Sequence, residues 1–163
     1  MKRTETLQTD RPYIERIIAE ALVCRVASAV ENRPYLVPLS FGYDGEAFYF
    51  HTGLSGTKID FWSRNSRVCF ELEGSISVKE GEKACDWTMI YESVIGFGIM
   101  SEIIDPSEKT TALNEIMRHY SAKTGLQISA ETAAKTRVWK LTVEEMTAKS
   151  NEIIPYADDS AVS

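Results

Sequence analysis

Between residues 85 and 103, Cys85, Trp87, Met89, Tyr91, Ser93, Ile95, Phe97, Ile99 and Ile103 share one parity, with mostly different residue types between them. Period two over such a length predicts one strand, far longer than the average of about five or six residues. A strand that long has to bend. Gly96 and Gly98 lie inside it, where glycine marks a bulge, a barrel corner, or a place where another backbone or a ligand comes close. A curved sheet uses both.

The rest of the chain supplies partners for that strand. Residues 22–30, 35–43 and 47–52 are rich in Val, Phe and Tyr and are punctuated by Asn32-Arg33-Pro34 and Asp44-Gly45, which predicts an antiparallel meander. Asp44-Gly45 predicts a type I′ hairpin in which Tyr43 faces Glu46, Phe41 pairs with Phe48 and Leu39 with Phe50 on the core face, and Pro38 pairs with His51 on the other. Residues 68–73 and 136–143 read as further strands, and residues 74–83 as a loop or mobile hairpin. Asp10 and Pro12 open a first helix whose Ile14, Ile17, Ile18, Ala21 and Leu22 share a face. Residues 55–64 form a short helix with Ser55 as N-cap and Asn65 as a left-handed stop. Pro106 opens another helix carrying Leu113, Ile116, Met117 and Tyr120, which ends before Gly125 with an exposed, cationic His119.

Six to seven antiparallel strands with a few flanking helices and glycine bends favour a small barrel over a sandwich, because closure leaves no edge exposed. At 163 residues the chain reads as one domain over 1–150 and an acidic, aperiodic tail over 151–163. With 44% hydrophobic and 26% charged residues it has the balance of a globular protein. Its net charge of −6 and lack of a basic stripe argue against nucleic acid as a partner. Nothing reads as a membrane span or signal segment, so a cytoplasmic protein is expected. Cys24, Cys69 and Cys85 are widely spaced and read as buried or partly buried reduced thiols, with no metal site.

The stretch richest in chemistry is Phe48-Tyr49-Phe50-His51-Thr52-Gly53-Leu54-Ser55-Gly56-Thr57-Lys58, a core strand running through a glycine-loosened loop into a helix start. Amide N–H groups and the helix dipole there can hold a phosphate, with Thr52, Ser55 and Thr57 hydroxyls as donors and Lys58 as counter-charge. A plain capped turn with a solvated lysine fits the same residues. His51 is structural by position alone. Trp87, Met89 and Tyr91 fit either a core or a wall against a flat heteroaromatic ring. No Ser-His-Asp set or paired carboxylate can be assembled.

Three separate motifs now agree. Pro34-Tyr35-Leu36-Val37-Pro38-Leu39-Ser40-Phe41-Gly42-Tyr43, Tyr49-Phe50-His51-Thr52 with Gly56-Thr57-Lys58, and Tyr91-Glu92-Ser93-Val94-Ile95-Gly96-Phe97-Gly98 resemble the nitroimidazole-resistance branch of the pyridoxamine phosphate oxidase-like proteins, as does Cys24-Arg25-Val26-Ala27. The resemblance runs over residues 11–149. It implies a split β-barrel homodimer with FMN in two equivalent grooves at the subunit interface, and a small-molecule substrate. Carried over by position, Pro38, Leu39 and Ser40 would run beside the flavin ring, and Phe50, His51 and Thr52 would lead to its ribityl chain and phosphate. Thr57 and Lys58, with Ser55, would hold the phosphate. Trp87, Tyr91 and Ser93 of the other subunit would approach the ring, with Glu92 pointing away.

The resemblance further implies flavin-dependent reduction of a planar or nitro-aromatic compound, with His51 the first candidate for a catalytic side chain. A flavin- or haem-binding module or sensor without turnover is the alternative, haem needing an axial ligand such as His51. The arginine- and histidine-bearing C-terminal motif of pyridoxamine phosphate oxidase has no counterpart in Ala157-Asp158-Asp159-Ser160, which argues against vitamin B6 oxidation.

Overall fold

The alternating stretch folds as one strand, β7 (Thr88–Ile103), starting three residues later than its pattern because Ala84–Asp86 form a 3-10 turn. The computed structural model describes residues 6–121 and 128–151. Both β7 glycines are demanded by neighbours. A Cβ on Gly96 would lie 2.3 Å from Phe70 Cζ, and one on Gly98 would lie 2.2 Å from the Thr142 carbonyl oxygen. Pairing with β8 (Arg137–Ser150) slips one residue between Phe97 and Gly98, a bulge at the site of the bend.

The remaining strands are β1 (Thr6–Gln8), β2 (Cys24–Val30), β3 (Arg33–Leu39), β4 (Gly42–Tyr43), β5 (Ala47–Thr52) and β6 (Arg67–Lys79). They form one antiparallel sheet in the order β3-β2-β6-β7-β8-β5-β4, with β1 added against the far end of β8 at Thr6↔Ser150. The two ends of that path, β3 and β4, are separated in sequence only by Ser40 and Phe41. The sheet therefore curls back on itself without closing its hydrogen-bond ladder: the protein is mainly β, an antiparallel barrel split at the β3–β4 seam.

That seam overturns the predicted hairpin. β3 pairs with β2, not β5, so Pro38 faces Arg25 and His51 faces Val138. Only Gly42↔Tyr49 and Tyr43↔Phe48 join β4 to β5, two residues out of the predicted register. At the turn only Gly45 has positive φ, 98°, and the Asp44 carboxylate accepts from the amides of Glu46 and Ala47, both at 2.8 Å. The side chain of Asp44 thus competes with the tight turn and wins. The two-residue turn with positive φ at both positions is Glu31-Asn32, at 51° and 60°, between Val30 and Arg33.

Among the described residues four helices cover the sheet: α1 (Arg11–Glu20), α2 (Thr57–Arg64), α3 (Pro106–Tyr120) and α4 (Ala130–Ala134), the last absent from the sequence reading. Asp10 accepts from Tyr13 N at 3.2 Å to start α1, which buries Tyr13, Ile14, Ile17 and Ile18. Asp105 caps α3 by accepting from Ser107 and Glu108 amides. The α3 backbone lies directly on β4, where a Cβ on Gly42 would stand 2.5 Å from Ile116 N. The expected stop at Gly125 and the tail beyond Asn151 lie outside the described residues.

Phe41, Phe48, Phe50 and Phe70 are fully buried in one core, with Phe48 and Phe70 centroids 4.9 Å apart. The end of α3 ties the seam to that core. Tyr120 Oη accepts from Phe41 N at 3.0 Å and donates to the Leu22 carbonyl at 2.9 Å, supplying the partner that the interrupted strand lost. His119, expected exposed, is instead half-buried: its Nε2–H donates to the Ala21 carbonyl at 2.7 Å and its ring packs 4.2 Å from that of Phe41.

Other boundaries also shift. The predicted loop after residue 73 is mostly strand, since β6 and β7 pair out to Lys79↔Thr88 past a bulge between Glu73 and Ile76. β8 runs seven residues beyond its predicted end at Val143, to Ser150, and β2 starts at Cys24, not Leu22. Asn65 is extended at φ −146°, not left-handed; its side chain instead bridges the Ala29 carbonyl and the Arg67 amide. Cys24 is buried and Cys69 half-buried, whereas Cys85 is exposed, contrary to expectation, because it sits in the 3-10 turn before β7, which buries no residue.

Candidate functional site

The junction between β5 and α2 is built by a change of period. Phe48 and Phe50 point into the core, His51 points out, and the chain turns through Gly53 and Gly56 before Ile59, Phe61 and Trp62 anchor α2. Gly56, at φ 140°, is the cap residue of α2, not Ser55. Glycine offers no side-chain acceptor, so no side chain caps the first amides of this helix. Ser55, Gly56 and Thr57 are exposed and Lys58 is half-buried beside them.

Two of the expected phosphate-site residues are turned inward. Phe50 is fully buried, and the Thr52 hydroxyl is taken up by the protein, donating to the Gly53 carbonyl at 2.9 Å and accepting from Trp139 Nε1 at 3.2 Å. Thr52 has this role because it occupies the core parity of β5. His51, one residue earlier, is exposed.

Arg137, which the sequence reading passed over, reaches the same junction. It opens β8 opposite Thr52, donates to the Leu54 carbonyl at 3.3 Å and forms a two-bond ion pair with Glu102 at 2.7 and 2.5 Å. Those hydrogen bonds hold the Glu102 carboxyl below the ordinary carboxylate range. An arginine opening a strand next to a glycine-rich loop was the available signal, hidden by a separation of 83 residues from Leu54.

The other expected residues fall elsewhere in this one chain. Pro38 and Ser40 are exposed and Leu39 half-buried at the seam. Arg25 stands opposite Pro38 on the outward face and pairs with Glu71 and Glu73 at 3.0 and 2.9 Å. Trp87 immediately precedes β7, and Tyr91 and Ser93 lie on the outward parity of that strand, so none of the three is buried in the core. Trp87, Met89 and Phe97 are 49%, 49% and 48% exposed, and Trp87 Nε1 donates to the Gly81 carbonyl at 2.9 Å. Glu92, on the other parity, is fully buried. Tyr91 and Ser93 line a concavity of about 410 Å³ and Phe97 a second, of about 370 Å³, with Ala27, Pro34 and Cys69. His51, Ser55 and Thr57 are thus exposed and Lys58 half-buried along one contiguous segment, while Tyr91 and Ser93 line a separate concavity. Among the described residues no group of three or more His, Cys, Asp or Glu is placed to hold a metal ion, and no helix is long and apolar enough to cross a membrane.

An antiparallel barrel split at one seam defines the split-barrel class of folds. Within that class the chain belongs to the pyridoxamine 5'-phosphate oxidase family, whose model matches residues 10–150. It is 34% identical to a candidate 5-nitroimidazole antibiotic resistance protein from Bacteroides thetaiotaomicron, covering 90% of this chain and 87% of that one at a TM-score of 0.79. The flavocytochrome Anf3 from Azotobacter vinelandii shares the fold at 17% identity, 94% and 72% coverage and TM-score 0.76. A FAD and haem binding protein from Mycobacterium smegmatis shares it at 16% identity, 94% and 77% coverage and TM-score 0.79. No curated protein matches the chain.

Proposed function

We propose that this chain is a cytoplasmic FMN-binding homodimer that reduces small planar or nitro-aromatic compounds. The observation that carries the reading is the start of α2, where Gly56 caps without a side chain and Ser55, Thr57 and Lys58 stand at the surface. Such a start suits a phosphate, which its amides and a lysine can hold together. Arg137 reaches the same junction through the Leu54 carbonyl, with its charge answered by Glu102. The 34% identity to a candidate nitroimidazole-resistance protein favours this ligand and substrate class, and known binders of flavin and haem share the fold.

In this reading Ser55, Thr57 and Lys58 fix the phosphate, Pro38, Leu39 and Ser40 run beside the ring, and a second copy contributes Trp87, Tyr91 and Ser93. The apolar outward face of β7 supports the dimer, since an exposed patch of Trp87, Met89, Ile95 and Phe97 is a surface that monomers seldom leave wet. FMN would supply the electron chemistry; the chain positions it and shields it. His51 is exposed, so it can meet a substrate. The same exposure suits an axial ligand and keeps a non-catalytic haem module as the competing reading.

Absorption spectra and FMN titration of the chain and its Lys58→Ala variant test this. Two visible flavin bands, with affinity falling about tenfold or more in the variant, are expected, because a charge-assisted hydrogen bond contributes roughly 1.5–3 kcal/mol. A single intense Soret band transfers the site to haem. Absence of FMN binding by both proteins sinks the reductase reading.

A further inference from the structure

Glu92 is fully buried, and neither the apolar core nor the proposed site accounts for a carboxylate there. It lies on the inward parity of β7, where Oε1 accepts from Tyr13 Oη at 2.6 Å and from Arg16 at 2.5 Å, both on α1. Ser150, its cross-strand partner on β8, hydrogen-bonds the same phenol. Burial, reinforced by the Glu92 hydrogen bond, pushes the Tyr13 hydroxyl up to about 12, so it stays a donor to Oε1. Oε2 has no partner. A half-satisfied buried carboxylate is a poor device for stability, since an apolar side chain of similar size commonly does as well or better. What such a group does well is fix a register, because only one alignment meets its donors.

Glu92 sits where register is loose. Beyond it β7 has no further pairing with β8, and Asn151 stands in with its side chain, accepting from Tyr91 N at 3.0 Å and donating to the Met89 carbonyl. From here β6 and β7 continue as a two-stranded arm, exposed along β6 from Ser75 to Lys79. Its run Ser75-Ile76-Ser77-Val78 repeats every two residues, so pattern alone allows more than one alignment with Met89 and Tyr91. The β6 bulge between Glu73 and Ile76 places its extra residue directly opposite Glu92. Losing that bulge would turn Ile76 and Val78 to the other face. Glu92 and α1 close on it: a Cβ on Gly74, inside the bulge, would stand 3.5 Å from Glu92 Cβ and 3.2 Å from Ile17 Cγ2.

We infer that Glu92 is a positioning residue: Tyr13 and Arg16 of α1 hold its carboxylate, and this fixes the bulge and the face on which the arm presents Ile76, Met89 and Tyr91. Side chains alternate along a strand, so fastening Glu92 inward is the same event as turning Tyr91 and Ser93 outward. The inference rests on the flavin reading only for what that face is aimed at, since Tyr91 and Ser93 are the residues proposed to approach the ring.

Amide hydrogen exchange of the flavin-free chain tests it in Glu92→Met, Glu92→Gln and Tyr13→Phe. Glu92→Met keeps an unbranched side chain but removes the acceptor. In it, exchange at the cross-strand pair Ser77 and Ile90 should rise about tenfold, while Phe70 and Leu141 in the barrel keep their rates and Tm does not fall. Glu92→Gln should hold the arm as wild type does, because its amide oxygen accepts from the same two donors. Tyr13→Phe should loosen the arm by less, since Arg16 remains. A lower Tm with exchange rising throughout, or a Glu92→Met chain that does not fold, assigns Glu92 to stability and overturns the inference. Unchanged exchange in the arm, or a Gln variant as loose as the Met variant, overturns it equally. FMN titration is read separately: affinity should fall in Glu92→Met and recover in Glu92→Gln, whereas a wild-type chain that binds no FMN sinks the flavin reading and leaves the exchange result standing.

Discussion

Glu31 holds φ at 51° although its side chain gains little there: its ion pair to Arg64 joins two exposed groups. Left-handed backbone disfavours an ordinary residue by roughly 1–2 kcal/mol, whereas asparagine relieves part of that with a local hydrogen bond. Glu31→Asn should therefore stabilise the protein by about 0.5–1 kcal/mol, read as a rise in Tm of about 1–4 °C. At this scale the sequence is legible where the interaction is local. Asp10 and Asp105 cap the helices they precede, and Gly96 and Gly98 mark a bend because each sits where a side chain has no room. The bond of Phe41 to Tyr120, and the reach of Arg137 to Leu54, were not legible because the partners lie 79 and 83 residues apart. No periodicity carries that information.

Elements were legible in kind and blurred in their joints. The run through residues 35–43 has the composition of one strand, but Phe41 gives its amide to Tyr120 and the strand divides between the two edges of the sheet. What keeps the short second half in place is the close seat of α3. Gly42→Ala would drive a Cβ into the backbone of Glu115 and Ile116, which cannot rotate away as a side chain can. The expected loss is about 1–3 kcal/mol in urea unfolding, with the slope unchanged. The β7–β8 pair is fastened by Glu102 and Arg137, and the depressed carboxyl sets a sign. A group whose folded pKa is lowered contributes stability above its unfolded pKa, near 4.3 for Glu, and loses it as pH falls through the folded value. Melting curves from pH 7 to pH 3 should show wild type above Glu102→Gln at neutrality and the gap narrowing below about pH 4.

For the whole molecule the outward face of β7 is the feature with the widest reach. Alternation showed that Trp87, Met89 and Phe97 share a side, but the same alternation serves a core or a surface equally well. Their exposure follows from the opposite parity, Val94, Gly96 and Met100, filling the barrel. Phe97→Asp should leave the monomer folded, because the position is already half exposed, and should shift the proposed dimer to monomer in sedimentation. If FMN binds between copies, its affinity should fall in the same variant; unchanged mass and flavin affinity would place the interface elsewhere. The surface divided at this scale too: the helix-start junction was legible as one contiguous segment, whereas the concavity beside Tyr91 needed β6 and β7 paired across a bulge.

The pairing of Thr6 with Ser150 has a consequence in time. Because β1 lies at one end of the described chain and its partner β8 at the other, that contact closes the longest loop among the described strand pairs, and loop closure must precede the reward. During synthesis β1 waits, unpaired, until β8 has left the ribosome. Among the described strands, the barrel's last stitch thus joins the earliest made to the latest.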